Sequence, residues 1–170
     1  MIFRKENVDS IENRKFVKNF KNELKKELKN ELKNELKDDL MGRGFTVLDL
    51  GADSLESADY PDFGYALAGA MKEGKAKRGV LVCGSGIGIS IAANRPPEIR
   101  AALVHDALGA RMSRLHNDAN VICFGGRMVG PDVARDCLKI FLETEFEGGR
   151  HSRRVDKLSD PPNGKNCNDP

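Results

Sequence analysis

"VLVCGSGIGISIAAN", residues 80–94, joins a short apolar run to a helix-forming segment through three closely spaced glycines, with Cys83 at the junction. A short, almost wholly apolar run is typical of a strand that is buried on both faces. Glycines at its end let the backbone turn sharply into the following helix. This stretch therefore predicts a strand–turn–helix unit of the kind from which parallel sheets are built.

The segments on both sides of this unit continue the alternation of strands and helices. Strands are predicted at residues 45–51, 79–84, 99–104 and 120–126, and helices at residues 60–74, 87–94, 106–117 and 131–143. This order predicts an α/β protein with a doubly wound, Rossmann-like parallel sheet in a three-layer α/β/α arrangement. Binding sites in such sheets lie beyond the carboxyl ends of the strands. Two glycine-rich strand exits, residues 84–88 and 125–126, fall at such ends.

The N-terminal part of the chain has a different character. Residues 21–40 repeat a charged tetrapeptide five times, as KNEL KKEL KNEL KNEL KDDL. On a helix a four-residue step drifts by about 40° per repeat, so the leucines cannot keep to one straight face. Glutamates and lysines also recur four residues apart, where like charges oppose the helix. The pattern favours a solvated low-complexity helix, with a partner-binding helix as the alternative.

These patterns divide the chain into three parts. We expect a charged, helical, low-complexity segment over residues 1–44, which looks foreign to the rest of the chain. The α/β domain is expected over residues 45–158, and residues 159–170 have the composition of a disordered tail.

Composition excludes several classes of protein. The 28 Lys+Arg against 26 Asp+Glu give a net charge of +2, which is too balanced to indicate nucleic acid as a partner. The four cysteines have no C-x-x-C spacing, which argues against a zinc site or a disulfide scaffold. No apolar run approaches the roughly 20 residues that cross a bilayer, and the N-terminus lacks the pattern of a secretory signal. A cytoplasmic location without membrane attachment is expected.

The glycine turn itself admits three interpretations. A dinucleotide fingerprint needs G-x-G-x-x-G, but its third glycine position is Ile89, and no lysine follows as a Walker-type loop requires. Neither nucleotide cofactor is therefore expected. Backbone N–H groups at such a turn also suit an anion or a developing oxyanion, and they favour the thiolate form of a neighbouring Cys83. The plain alternative is a buried cysteine that ends an apolar strand, and the residues alone leave the two open.

Several longer motifs carry a resemblance. "ADYPDF", "CGSGIGISIAANR", "IRAAL", "HNDANVICFGGRMVG" and "EFEGGRHSRRV" together are similar to the sugar-phosphate isomerase family of ribose-5-phosphate isomerase type B, which also contains the galactose-6-phosphate isomerase subunits. The similarity covers about residues 45–157. It implies an aldose–ketose isomerase that works through an enediolate without metal or other cofactor. It also implies a sugar phosphate as substrate, with ribose 5-phosphate foremost, and a homodimer or higher homo-oligomer with shared active sites.

The resemblance assigns the proton-transfer step to the glycine turn. Cys83 matches the base that moves a proton between C1 and C2. The backbone from Gly84 through Gly86 to Gly88 would hold the enediolate oxygen, with Ser85 where the family usually has threonine.

The same resemblance places ring opening and phosphate binding elsewhere in the sequence. His116 and Asn117 match the segment that opens the sugar ring and orients the hydroxyls. The remaining substrate-binding matches are Arg127, Arg150 and Arg154 on the phosphate and Tyr60 facing the substrate. The plain alternatives are a surface histidine, a solvated basic cluster and a half-buried tyrosine. Nothing supports a role for His105 beyond structure.

One motif of the family is missing. Its members begin with a short apolar strand that ends in an Asp-His pair, and this motif would fall near residues 20–28. The chain has "FKNELKKEL" there, and His105 is its first histidine. Because that strand is central in the fold, its loss would leave backbone groups unpaired. We therefore expect residues 1–30 to be foreign to the domain, and we keep two hypotheses: an active isomerase, or a catalytically impaired homologue that acts as a phosphosugar-binding or partner subunit.

Overall fold

The computed structural model describes residues 30–51 and 59–160. Residues 1–29 of the charged segment, including the place of the missing motif, and residues 161–170 of the predicted tail lie outside the described residues. The described helices are α1 (residues 30–42), α2 (Tyr60–Lys72), α3 (Ile87–Ala93), α4 (Ala107–Asn117), α5 (Pro131–Glu143) and α6 (Ser152–Ser159). The described strands are β1 (Gly79–Cys83), β2 (Ala101–Leu103) and β3 (Val121–Gly125), and a 3-10 turn covers Gly149–His151.

The three strands form one parallel sheet in the order β1-β3-β2. The central strand β3 is buried along its whole length, as its sequence VICFG predicts. Its register places Val121 opposite Gly79 and Gly125 opposite Cys83. The carboxyl ends of β1 and β3 therefore lie side by side, and both lead into glycine-rich turns.

Helices cover both faces of the sheet, which confirms the predicted three-layer fold. Successive residues of β3 point to opposite faces: Ile122 and Phe124 pack with α1, α4 and α5, whereas Val121 and Cys123 pack with α2 and α3. Two apolar cores result, one on each side of the sheet. Among the described helices, none is long and apolar enough to cross a membrane.

The repeat helix is part of the fold where it is described. Leu32 and Leu36 in α1 are 2% and 1% exposed and belong to the core against α5 and β3. The prediction of a wholly solvated helix is therefore wrong for these residues. The physical reason is that a 40° drift, which scatters five leucines, still leaves two consecutive leucines on one face. The Glu35 carboxylate accepts a hydrogen bond from Arg135 at 2.9 Å, which further ties α1 to α5.

The strand predicted at residues 45–51 is not formed. Residues 45–50 have no regular structure, and Phe45, Leu48 and Leu50 are exposed. The segment is attached to α1 through Asp49, whose carboxylate pairs with Lys33 and Lys37 at 3.2 and 3.0 Å. The amide of Gly51 and the two lysines hold the pKa of Asp49 at about 2. A strand requires a partner in a sheet, and among the described residues nothing pairs with this segment.

A cavity of about 690 Å³ occupies the space where such a partner would lie. Residues 45–51 line one side, and β1 with the following Gly84 lines the other. Leu36 and Phe141 face it from one helical layer, and Leu67 faces it from the other. The cavity is therefore a slot in the plane of the sheet, open along the edge of β1 that does not face β3.

We expect α1 to contribute to stability as a core helix. Replacing Leu36 with alanine should lower the free energy of unfolding by about 2–5 kcal/mol, because a fully buried leucine leaves a cavity behind. Met41→Ala is the matched control on the same helix, since Met41 is 55% exposed. Denaturant unfolding of both variants checks this. Equal, small effects would show that α1 does not pack on the sheet.

The open edge of β1 gives a second prediction. The Gly79 amide donates to the Asn120 carbonyl and the Cys83 carbonyl accepts from the Gly126 amide, so the backbone of these residues faces β3. Backbone groups alternate along a strand, and those of Val80 and Val82 therefore face the slot. In NMR-detected hydrogen exchange, the amides of Val80 and Val82 should exchange faster than that of Leu81. Equal protection of all three would mean that a further segment of the protein pairs with β1.

Candidate active site

The Cys83 sulfur lies at the last position of β1, where the strand meets the glycine turn. Sγ accepts a hydrogen bond from the backbone N–H of Gly86 at 3.2 Å. The residue is 8% exposed, yet it lines the 690 Å³ cavity together with Gly84 and Tyr60. The side chain is thus part of the apolar cluster that α2 and α3 form on one face of the sheet, while the residue also borders open space. The reactive role of Cys83 stays a prediction.

The other described cysteines lack this setting. Cys123 is fully buried in β3, and burial, with a smaller contribution from nearby Cys83, raises its pKa to about 12. Burial also raises the pKa of Cys137 in α5 to about 11. Both thiols therefore stay protonated at neutral pH.

Close contacts surround the glycines of the turn. Gly86 has φ +78°, in the left-handed region, and a Cβ there would lie 2.9 Å from the carbonyl carbon of Phe124. A Cβ on Gly84 would collide with the guanidinium of Arg127, and a Cβ on Gly88 would collide with the ring of Tyr60. The turn is thus enclosed by one cationic and one aromatic side chain, each resting directly on backbone.

Two backbone N–H groups of the turn have acceptors within the protein, since Gly86 donates to Cys83 Sγ and Ile87 to the Ser85 hydroxyl, so an anion would use the remaining ones. The first N–H groups of a helix have no intrahelical acceptor, and those of α3 begin directly after Gly86. The hydroxyl of Ser85 accepts from the amide of Ile87 at 3.4 Å, which holds the side chain against the same turn. Arg127 donates from Nε to the carbonyl of Gly84 at 3.3 Å, so a full positive charge lies over the turn. Amide donors and a guanidinium together favour a negatively charged ligand here.

A second group of predicted site residues lies at the end of α4. His116 and Asn117 are the last two residues of that helix, and both are accessible to solvent. The His116 ring stacks on the ring of His151, with centroids 4.3 Å apart and planes within 5°. Arg150 precedes His151 in the 3-10 turn, and Arg154 follows one turn later in α6, both exposed.

A carboxylate joins this second group. Oε2 of Glu147 lies 3.8 Å from Nε2 of His116 and 4.0 Å from Nε2 of His151. Three donor atoms this close are a grouping that suits a metal ion in principle. Here Nε of Arg150 donates to Nε2 of His151 at 3.3 Å, and Arg150 and Arg154 both repel a cation. The charges around the group therefore favour an anion, and we assign no metal site.

The two groups lie at opposite edges of the sheet. Cys83 ends a strand, whereas α4 returns the chain from the carboxyl end of β2 to the amino end of β3, so His116 lies at the amino edge. A strand of five residues at about 3.3 Å each spans roughly 16 Å. Within one protomer the predicted site residues therefore form two separate groups. The carboxyl-edge group contains Cys83, Ser85, Tyr60 and Arg127. The amino-edge group contains His116, Asn117, Arg150 and Arg154.

Sequence reasoning missed two members of the second group. His151 and Glu147 were not singled out, although "EGGRHS" contains both the buried histidine and the glycines that turn the chain there. Gly148 and Gly149 have φ +70° and +56°, a conformation that favours glycine. The stacking of His151 on a residue 35 positions earlier has no local signal in the sequence.

The fold and the site together define a class. The chain is a doubly wound α/β protein that has a thiol and amide donors at one sheet edge and a histidine with arginines at the other. A sequence profile described as Ribose/Galactose Isomerase matches residues 22–158. The chain belongs to this family.

Individual relatives agree with this assignment. The chain is 44% identical over 120 residues to D-erythrulose-4-phosphate isomerase of Pectobacterium atrosepticum, covering 70% of the chain and 79% of the relative. It is 42% identical over 120 residues to ribose-5-phosphate isomerase B of Escherichia coli, covering 71% and 80%. The structure of Clostridium thermocellum ribose-5-phosphate isomerase B superposes with a TM-score of 0.75 at 51% identity, covering 76% of this chain and 88% of that one.

Proposed function

We propose that the protein is an aldose–ketose isomerase for sugar phosphates, with ribose 5-phosphate as the foremost substrate and ribulose 5-phosphate as its product. The observation that carries this proposal is the Cys83 sulfur, which accepts a hydrogen bond from the Gly86 amide and belongs to a residue that lines the cavity. Membership of the family and the sugar-phosphate isomerases among its relatives support the reaction class.

The proton transfer follows from the geometry of the turn. The Cys83 thiolate takes the proton from C2 of the open-chain aldose, and the electrons of that C–H bond form the enediolate. Amide donors of the turn stabilise the negative oxygen. Arg127, predicted to bind the phosphate, lies on the Gly84 backbone away from Arg150 and Arg154, so we assign its guanidinium to the same oxygen. The thiol then returns the proton to C1, and a proton moves between the two oxygens, so the reaction needs no redox partner and no cofactor.

Ring opening and phosphate binding are assigned to the amino-edge group. His116 exchanges a proton with the ring oxygen, as an imidazole can near neutral pH. Asn117 lies beside it and orients the substrate hydroxyls. Arg150 and Arg154 bind the phosphate, because a guanidinium matches phosphate oxygens with two parallel donors.

The separation of the two groups supports a homodimer. In a two-fold dimer, the carboxyl edge of one protomer can face the amino edge of its partner, and the contact occurs twice. Ile87, Ile91, Leu108 and Met128 lie exposed at or near the carboxyl edge, where a second copy would cover them. Each complete site would then combine Cys83 of one protomer with the His116 group of its partner.

Two further expectations from the sequence are kept as part of this proposal. Cys83, Cys123 and Cys137 are free thiols, which supports a reducing, cytoplasmic location. The division of the chain at residues 44 and 158 is kept with one change: the burial of Leu32 and Leu36 supports extending the domain back into the repeat.

The proposal is tested by a coupled assay with ribose 5-phosphate. Cys83→Ala should lower kcat/KM at least about 10²-fold, the usual scale for removing a general base. Cys137→Ala is the matched control, because it removes a buried thiol that does not line the cavity. Equal turnover by wild type and Cys83→Ala would contradict the role of the sulfur.

Absence of turnover in a folded wild-type protein would contradict the hypothesis of an active isomerase. It would favour the hypothesis of a catalytically impaired homologue. A thermal melt with and without ribose 5-phosphate then decides whether the chain still binds the sugar phosphate. Stabilisation by ribose 5-phosphate without turnover would support the binding subunit.

Subunit mixing tests the shared site. We expect Cys83→Ala and His116→Asn each to be nearly inactive alone. After the two are mixed in equal amounts and allowed to exchange protomers, activity should return to about a quarter of the wild-type value, because half of the dimers are mixed and each has one intact site. No recovery, in mixtures shown by tagged protomers to have exchanged, would mean that each site is built within one protomer.

A further inference from the structure

The ring of His151 is held in one place beneath His116. His151 is 6% exposed, its amide donates to the carbonyl of Gly148 at 3.0 Å, and its ring lies parallel to that of His116. His116 itself is 38% exposed at its side chain and ends a helix, so little else on its own helix fixes the plane of its ring. The buried ring therefore provides a flat surface on which the exposed ring lies.

Glu147 is fixed to the same helix end by its backbone. Its amide donates to the carbonyl of Leu115 at 3.1 Å. The segment that carries it is anchored by buried Arg114, which donates to the carbonyls of Thr144 and Ala119 at 3.2 and 2.6 Å. The Glu147 carboxylate consequently stays near His116, at a distance that is long for a hydrogen bond but close enough for the charges to interact.

The two histidines differ in their ability to hold a proton. Burial lowers the pKa of His151, and the neighbouring His116 lowers it further. Glu147 opposes these two effects, and the smaller effects of Arg150 and Arg154 again lower the pKa. Nε of Arg150 also donates to Nε2 of His151, which requires that nitrogen to be unprotonated. Since two stacked imidazoles repel one another when both are charged, a proton that enters the pair is directed to the exposed ring of His116.

We propose that His151 and Glu147 are positioning residues for His116: the neutral ring of His151 fixes the plane of the His116 ring, and the carboxylate of Glu147 stabilises its protonated form. This inference rests on the proposed role of His116 in ring opening. Neither residue contacts the reacting atoms. Both act by keeping the His116 nitrogen in the direction and protonation state that proton transfer to the sugar ring oxygen requires.

Charged groups from three neighbouring elements surround the stacked pair of His116 and His151. The segment before the 3-10 turn supplies Glu147, which lies near both rings, while Arg150 of the turn and Arg154 of α6 act on His151. On α4 itself Arg114 is paired with Asp118 at 2.8 Å and is thereby balanced. Because Glu147 is the carboxylate within 4 Å of both rings, its removal should change the charge that the His116 ring experiences.

NMR titration of the histidine rings tests the charge part of the proposal in the intact protein. The chain has three histidines. The signal lost in His105→Gln belongs to His105, the signal lost in His151→Phe belongs to His151, and the remaining one belongs to His116. In Glu147→Gln the titration midpoint of His116 should move to lower pH. Glu145→Gln is the matched control, an exposed carboxylate two residues away, and it should leave the midpoint unchanged. Equal midpoints in both variants would overturn the role of Glu147.

Kinetics test the orientation part. His151→Ala should lower kcat about 10-fold with a smaller change in KM, because a disordered His116 ring affects proton transfer more than binding. His151→Phe keeps a flat ring in the same place and should recover most of kcat. Unchanged kcat in His151→Ala, or equal loss in both variants, would overturn the stacking role.

The two readouts separate this inference from the proposed function. A purely structural role would lower thermal stability in His151→Ala without moving the titration of His116 or dividing kcat from KM. If His151→Ala does not fold, the Glu147→Gln variant decides whether the proposal holds. The Glu147 side chain is about half exposed, so this substitution leaves no cavity. If the wild type shows no turnover, the proposed isomerase fails while the titration still supports or contradicts the coupling of Glu147 to His116.

Discussion

The parallel pairing of β1 with β3 determines where the Cys83 sulfur lies, and the carboxyl-edge site is arranged around it. The register sets Cys83 opposite Gly125, and the Gly126 amide donates to the Cys83 carbonyl at 2.9 Å. A Cβ on Gly125 would lie 2.6 Å from the carbonyl oxygen of Ser85, so the two turns pack backbone against backbone. The amides that we propose to bind the anion are therefore held by main-chain contacts.

The same strand is also the open edge of the described sheet. Parallel strands are normally enclosed on every side, because their backbone groups find no water there. Between β1 and residues 45–51 the slot leaves a row of backbone groups without a strand partner among the described residues. A parallel strand in this slot would end beside Tyr60 and Cys83, at the carboxyl edge. That is where the family resemblance expects its Asp-His pair, and the place of that motif in the chain, near residues 20–28, lies outside the described residues.

Local signals predicted most of the fold, and long-range contacts account for what they missed. The helix at Pro131–Glu143 matches its prediction residue for residue, because proline at the first turn and an apolar stripe are both local features. The glycine turn after Cys83 was likewise evident from the sequence. The predicted strand at residues 45–51 failed because strand formation depends on a partner. The burial of Leu36 was not predicted, because the five leucines of the repeat do not keep to one face of a helix. Two consecutive leucines do share a face, and this is enough for Leu32 and Leu36 to pack in the core. His151 has no sequence pattern that places it under His116.

The arginines at the amino edge act both on the proposed substrate phosphate and on the protonation of the histidine pair. Arg150 and Arg154 lie exposed near His151 and already oppose a proton on it. A phosphate dianion bound between the guanidiniums would offset their mutual repulsion, and it would do so far from the carbons that react. Binding energy at such a distance is useful to an enzyme only when it improves the geometry of the reacting groups. Here the proposed dimer makes that possible, since a substrate held by its phosphate at one protomer's amino edge extends toward the Cys83 thiol of the other, and neither edge alone can align both ends.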